Sequence, residues 1–215
     1  MSARQYCLGK RQIASDKIGE KIIEAARDLL MSKKGLTEFS MEHIAQKAGV
    51  TRLTIYNQFG SKLSLLESVY DNIGRRGGIV ERLSKAMMED DPEVSLNAVV
   101  DAFIQFWDAE KTALRRLRSL AVLNPDFKGM RKRDERRRLA LEAVIVRVMD
   151  RHGQKLVDTD GTIDTVTMLT SFEAFDTMAR SGTPIAKIIS RIQRLVHLSL
   201  MNDEKGSSSG TLPNS

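Results

Sequence analysis

Apolar side chains return at three- and four-residue spacing along most of this chain, and glycine, proline or a small hydroxyl residue stands where the rhythm stops. Ile18, Ile22, Ala25, Ala26, Leu29 and Leu30 would lie on one face of a helix starting near Ser15 or Asp16, with Gly35 just past its end. That period is the helical 3.6 and not the strand's 2, so the chain must bury helix against helix. Composition agrees. Four prolines and few clusters of Val, Tyr or Trp disfavour an all-β fold, while the Leu, Ala, Arg, Glu, Lys and Met stock loses little rotamer freedom in a helix. The expected class is all-α: an N-terminal three-helix, helix-turn-helix domain, then a larger helical domain.

At 215 residues there is room for a real core and for two domains. Residues 1–15 are polar and basic and read as a flexible arm, 16–75 as the first domain, 76–202 as the second and 203–215 as a disordered Gly/Ser tail. In the second domain the pattern predicts helices at about 92–108, 110–123, 126–152, 159–181 and 184–202, punctuated by Asn124-Pro125, Gly153 and Thr183-Pro184. A fourth helix should run from Ser61 to about Met88. Gly74, Gly77 and Gly78 make its middle either a break or a hinge joining the two domains.

The segment from Ser40 to Phe59 has the proportions of a helix-turn-helix. Ser40 can cap a helix that turns Ile44, Ala45 and Ala48 inward. Gly49 suits a turn that needs a left-handed backbone, and Thr51 can cap a second helix whose Ile55 and Phe59 face the core. The outer surface of that second helix offers Arg52, Leu53, Thr54, Tyr56, Asn57 and Gln58, with no acidic residue between Thr51 and Glu67. Arginine can fork onto guanine, Asn or Gln onto adenine, and Leu or a Thr methyl can meet the thymine methyl. Lys62, behind Ser61, sits at a helix N-terminus where free N–H groups suit a phosphate.

From about Lys17 to Gly77 the sequence resembles the DNA-binding domain of the TetR (tetracycline-repressor) family of transcriptional regulators. The resemblance is carried by Ile22…Ala25-Ala26…Leu29, Gly35, Ile44-Ala45…Ala48-Gly49-Val50-Thr51, Thr54-Ile55-Tyr56…Phe59 and Ser61-Lys62…Leu65-Leu66. It implies that Tyr56 and Lys62 hold phosphates, and that Arg52, Leu53, Thr54, Asn57 and Gln58 lie at base edges or backbone. It also implies that Ser40 and Met41 begin a supporting helix in contact with phosphate, and Thr51 completes the DNA-binding set. Leu63 departs from the family, which more often has an acidic residue there. Past residue 77 the resemblance is one of architecture only.

Charge fits a polyanion partner. Of the formal net charge of +6, the larger share falls in residues 1–75, which hold 12 Lys and Arg against 8 Asp and Glu. Cys7 is the single cysteine, so neither an intrachain disulfide nor a cysteine-rich zinc site is open to the chain. His43, His152 and His197 lack partners at ligand spacing. No nucleophile-and-base signature, phosphate loop or dinucleotide fingerprint occurs, so neither catalysis nor a cofactor is expected. With no membrane-length apolar run and no signal peptide, the expected location is the cytoplasm. The run Arg131 to Arg138 reads as a solvated helix face, pairing Arg131 with Glu135 and Asp134 with Arg138.

Double-stranded DNA with a pseudo-palindromic operator is the expected partner, bound by a homodimer. The last two long helices carry the expected interface: Leu169, Ile188, Ile192, Leu195 and Leu198, with Met201 also off the main stripe. A small apolar or amphipathic effector would sit among Phe103, Trp107, Leu120, Met149, Met168 and Phe172, although such stripes also serve as plain core. Three functions remain: a repressor released by its effector, a DNA-bound architectural or scaffold protein without one, and a helical enzyme with a chance motif. A sizeable cavity favours the first, a filled core the second and a catalytic cluster the third.

Overall fold

The computed structural model describes residues 3–122, 129–153 and 156–205. Among them the protein is helical throughout, with no strand. The helices are α1 (Ala3–Met31), α2 (Met41–Ala48), α3 (Arg52–Phe59), α4 (Lys62–Arg76), α5 (Ile79–Met87), α6 (Pro92–Val122), α7 (Gly129–His152), α8 (Thr159–Leu169), α9 (Phe172–Arg180) and α10 (Ile185–Lys205). A short 3-10 turn, Gly35–Glu38, follows α1. The chain forms two compact units. One comprises the residues up to Arg76 together with those of α6 from Thr112, and the other comprises 77–111 and the residues from Gly129.

In the N-terminal unit, α2, α3 and α4 all pack on α1. Ile22, Ala26 and Leu30 of α1 are buried with Ile44 of α2, Ile55 of α3 and Leu65, Val69 and Ile73 of α4. The α6 segment adds Ala113, Leu114 and Leu117 to this unit's buried residues, a contribution that a boundary near residue 75 does not foresee. Arg116 ties that segment to α1. Its Nη1 donates to the Leu30 carbonyl and, at 2.7 Å, to that of Ser32. The Leu30 oxygen is one of the acceptors left over at the C-terminus of α1, where a cation is also favoured by the dipole, and the Ser32 oxygen just past it is shared with the Gly35 N–H at 3.1 Å. Gly35 leaves room for the guanidinium, whose Cζ would lie 2.8 Å from a Cβ at that position.

The C-terminal unit packs α8 against α7, α9 and α10. Its interior includes Phe103, Ile104, Trp107, Val144, Val148, Ile163, Val166, Phe175, Ile192 and Val196. On α7, Arg138 gathers three carboxylates, Glu142 at 3.3 Å and Asp160 and Asp164 at 3.1 Å each. Asp134 pairs with Arg137 at 3.3 Å, so within the basic run Arg137 is matched locally while Arg138 also reaches the carboxylates of α8. The expected partner Arg131 has a side chain outside the described residues.

Several boundaries depart from the pattern, each for a local reason. Helix α1 extends back to Ala3, so the expected arm is continuous with it and Ser15 does not cap it. Residues 92–122 form one helix because nothing around Ala109 breaks it, and Lys111 pairs with Asp108 across that point at 2.7 Å. The predicted 159–181 helix divides at Thr170-Ser171. Ser171 is extended and caps α9 by accepting from the Ala174 N–H, while the carbonyl freed at Thr170 accepts the indole N–H of Trp107 at 3.0 Å. Between α4 and α5, Gly78 takes φ +63°, a left-handed conformation that ends the predicted fourth helix at Arg76. Helix α10 runs to Lys205, past residue 203, the expected start of the tail, and the rest of the expected tail, 206–215, lies outside the described residues.

Replacing Arg116 by methionine keeps the stem and removes the charged donors. Urea denaturation is expected to show a loss of about 2 kcal/mol, in line with hydrogen bonds from an ionised donor; an unchanged midpoint would refute the anchoring role.

Candidate nucleic-acid interface

Ser40 is extended and accepts from the His43 N–H at 3.2 Å, which starts α2. Its hydroxyl also meets His43 Nδ1 at 3.1 Å, and Nδ1 lies 2.9 Å from the Glu38 carbonyl. At the far end Gly49 adopts φ +62°, and the Val50 N–H returns to the Ala45 carbonyl at 3.0 Å. That tight return reverses the chain within two residues. Thr51 then accepts from the Thr54 N–H at 3.1 Å and begins α3. Neither the turn nor the cap needs tertiary contacts to form.

The outward face of α3 carries Arg52, Leu53, Tyr56 and Asn57, with Leu53 67% exposed. An isoleucine-sized side chain left so bare on a short helix has no packing role within the protomer. Arg52 lies 3.5 Å from Glu42 of α2, both well exposed, a weak pair that a phosphate or guanine could displace. Lys62, the first residue of α4, is exposed, with its Nζ 5.6 Å from the centre of the Phe39 ring. Lys21 of α1 reaches to within 3.5 Å of where a Cβ on Gly49 would be, which places a further cation beside the turn.

Three expected contact residues are placed differently. Met41 is 7% exposed and its side chain packs inside the unit, which leaves only its backbone N–H at the start of α2 for a partner. Thr54 is half-buried and its hydroxyl meets that of Thr51 at 2.9 Å. Gln58 turns toward α1, donating to the Ser15 carbonyl at 3.3 Å and accepting from the Ser15 hydroxyl at 3.1 Å.

The same stretch is matched independently. Residues 22–69 fit the model of the bacterial regulatory proteins of the tetR family. Residues 22–69 of this chain are therefore a tetR-family domain. No curated protein sequence matches it, but solved structures do. A TetR-like transcriptional regulator from Rhodococcus sp. RHA1 superposes with a TM-score of 0.64 at 19% identity, over 86% of this chain and 96% of the other. A TetR transcription regulator from Haloarcula marismortui gives 0.68 at 20% identity, over 87% and 98%. The regulator FadR from Bacillus subtilis, solved with stearoyl-CoA, gives 0.65 at 17% identity, over 82% and 96%. Within the N-terminal unit, residues 22–69 thus form a helix-turn-helix DNA-binding domain.

The regulatory half is less simply related to its sequence pattern. Phe103, Trp107, Met149 and Phe172 are all buried, but Met168 is 62% exposed and Leu120 belongs to the N-terminal unit. Trp107 sits edge-on to Phe172 at 5.8 Å and tilted to Phe106 at 5.0 Å, and Phe172 meets Phe175 at 6.1 Å, so these rings fill space against one another. Of the expected interface residues, Ile188 and Ile192 are each 1% exposed inside the protomer. Leu169 and Leu195 are half-buried, and Leu198 and Met201 are exposed. Among the described residues no His, Cys, Asp and Glu cluster could hold a metal, and no helix is long and apolar enough to cross a membrane.

Sequence reasoning missed Ser15, Lys21 and Glu42. The first two lie one helix away from the motif, and only the packing of α1 brings them to it. Thr51→Ala should destabilise the protein by about 1 kcal/mol in chemical denaturation through loss of the α3 cap, with Thr51→Ser close to the parent. Equal stabilities for the two variants would show that the cap does not hold α3.

Proposed function

We propose that this protein is a transcriptional repressor that binds a pseudo-palindromic operator as a homodimer and leaves it on binding a small molecule. The observation carrying the DNA-reading part is the outward face of α3, where Arg52, Leu53, Tyr56 and Asn57 stand exposed on a helix without a carboxylate. In a major groove the Arg52 guanidinium would fork onto a guanine edge, Asn57 onto adenine, and Leu53 would meet a thymine methyl. Tyr56, Lys62, Ser40 and Thr51 would hold phosphates, aided by the N–H groups at the starts of α2, α3 and α4. The reading is one of binding rather than catalysis, in the cytoplasm where the DNA lies.

Pairing of two protomers rests on Leu198 and Met201 of α10, exposed beside the half-buried Leu195, with Leu169 of α8 as the further expected contact. Apolar area left bare in a row on a long helix is stabilised by burial against a copy of itself. Ile188 and Ile192 serve the protomer's own core. Sedimentation should show a dimer at micromolar concentration, and Leu198→Glu with Met201→Glu should give a monomer of native helicity; a parent that sediments as a monomer overturns this assembly.

For the effector, the buried cluster of Phe103, Trp107, Met149 and Phe172 is the proposed lining, and an apolar or amphipathic molecule is the class it suits. The stearoyl-CoA of the FadR structure is of that kind. Against this, the close ring contacts favour a second reading, a DNA-bound scaffold protein with a filled core and no effector. Trp107 is the only tryptophan, so its fluorescence separates the two. A molecule that releases DNA should shift its emission, whereas release without a shift moves the pocket elsewhere.

Tyr56→Phe and Lys62→Ala should weaken binding to all duplexes alike, because phosphate contacts carry no base information. Arg52→Ala should instead relax preference at one base-pair position, at a cost of about 1–3 kcal/mol. Titrating the variants against single-substitution duplexes distinguishes the patterns, and a uniform loss for Arg52→Ala would remove its base-reading role.

A further inference from the structure

Helix α3 meets α1, α2 and α4 through one side only. Ile55 is the only one of its eight residues that is fully buried, with Phe59 half-buried one turn on, so the apolar contact runs along one narrow line of the helix. A polar tie beside that line would fix the helix's rotation more sharply than apolar contact, which is not directional, and residues three apart share a face. Gln58 is three residues on from Ile55. Its amide is engaged at both ends by one residue of α1, with Nε2 donating to the Ser15 carbonyl and Oε1 accepting from the Ser15 hydroxyl.

One turn further along α1 stands Gly19, buried in the middle of a long helix where glycine is a poor residue. A Cβ there would lie 3.0 Å from Gln58 Nε2 and within 3.7 Å of its Cδ and Cγ. Gly19 therefore forms the floor on which the Gln58 side chain lies, and Ser15 holds its end.

We propose that Ser15, Gly19 and Gln58 form a lock that sets the rotation of α3 about its own axis, so that Gln58 is a positioning residue for DNA reading and contacts no base. The proposal rests on α3 being the recognition helix. About its axis, each residue of a helix is displaced by roughly 100°, so a turn of a few tens of degrees carries Arg52, Leu53 and Asn57 off their base edges together. The lock thus acts on the whole reading face and not on one base pair.

The test uses the full chain and a duplex that the parent selects from a random-sequence library, with a scrambled duplex of equal length as the non-specific probe. Gln58→Leu keeps the side chain's bulk and removes its amide. It should lower the affinity ratio between selected and scrambled duplex by about tenfold, with the loss spread over several base-pair positions. Gly19→Ala should act the same way by displacing Gln58 while raising or preserving the melting temperature, since alanine is the better helix residue. This second variant keeps the test decisive if Gln58→Leu folds badly. The double variant should be no worse than the poorer single one, because both break one device.

Loss confined to one base-pair position would make Gln58 a base reader and overturn the lock. An unchanged ratio in either single variant, or additive losses in the double, would overturn it as well. If the parent selects no sequence at all, DNA reading itself fails, and that outcome is visible before any variant is measured.

Discussion

Burial of one stripe on α1 is the interaction on which the N-terminal unit depends. Ile22, Ala26 and Leu30 are fully removed from solvent, and α2, α3 and α4 each pack on this helix. Helices as short as α2 and α3 are not stable alone, because eight residues do not repay the nucleation of a helix. Their shape comes from local caps and the Gly49 turn, but their persistence comes from α1. Arg116 Nη1 caps the carbonyl end of that same helix at Leu30, where no N–H of the helix itself is placed to bond.

A consequence is that α3 is free to be polar. With most of the core supplied by its neighbours, it attaches through buried Ile55 and half-buried Phe59 and leaves Arg52, Leu53, Tyr56 and Asn57 to the outside. Exposed leucine and exposed arginine on one short helix make little sense for the stability of a single protomer. They are sensible for a surface that meets both methyl groups and hydrogen-bonding base edges. Glu42 gives Arg52 a partner of modest strength, so the guanidinium is oriented without being committed.

The C-terminal unit follows a different economy. There the aromatic side chains of α6 and α9 fill the interior, and the break between α8 and α9 is made tolerable by a single buried donor, the Trp107 indole, on the carbonyl of Thr170. An unpartnered carbonyl in that interior would carry a desolvation penalty comparable to a lost hydrogen bond. Any molecule entering this cluster must part the ring contacts of Trp107, and would need to keep or replace its hydrogen bond.

Much of this was legible in the residues alone. The all-helical class, the helix-turn-helix between Ser40 and Phe59, both its caps and the left-handed Gly49 follow from local chemistry, since each depends on residues at most a few positions apart. Other features depend on residues far apart in the chain, and only tertiary packing decided them. Sequence spacing put Gln58 on the polar face of α3, yet contact with Ser15, 43 residues away, turns it inward. Pattern alone also could not tell that Ile188 and Ile192 would be consumed by the protomer while Leu198 stays bare, nor that Arg116 would reach back 86 residues to the end of α1. Periodicity reports which side of a helix is apolar. Which neighbour covers that side is a matter of long-range packing, and no local pattern encodes it.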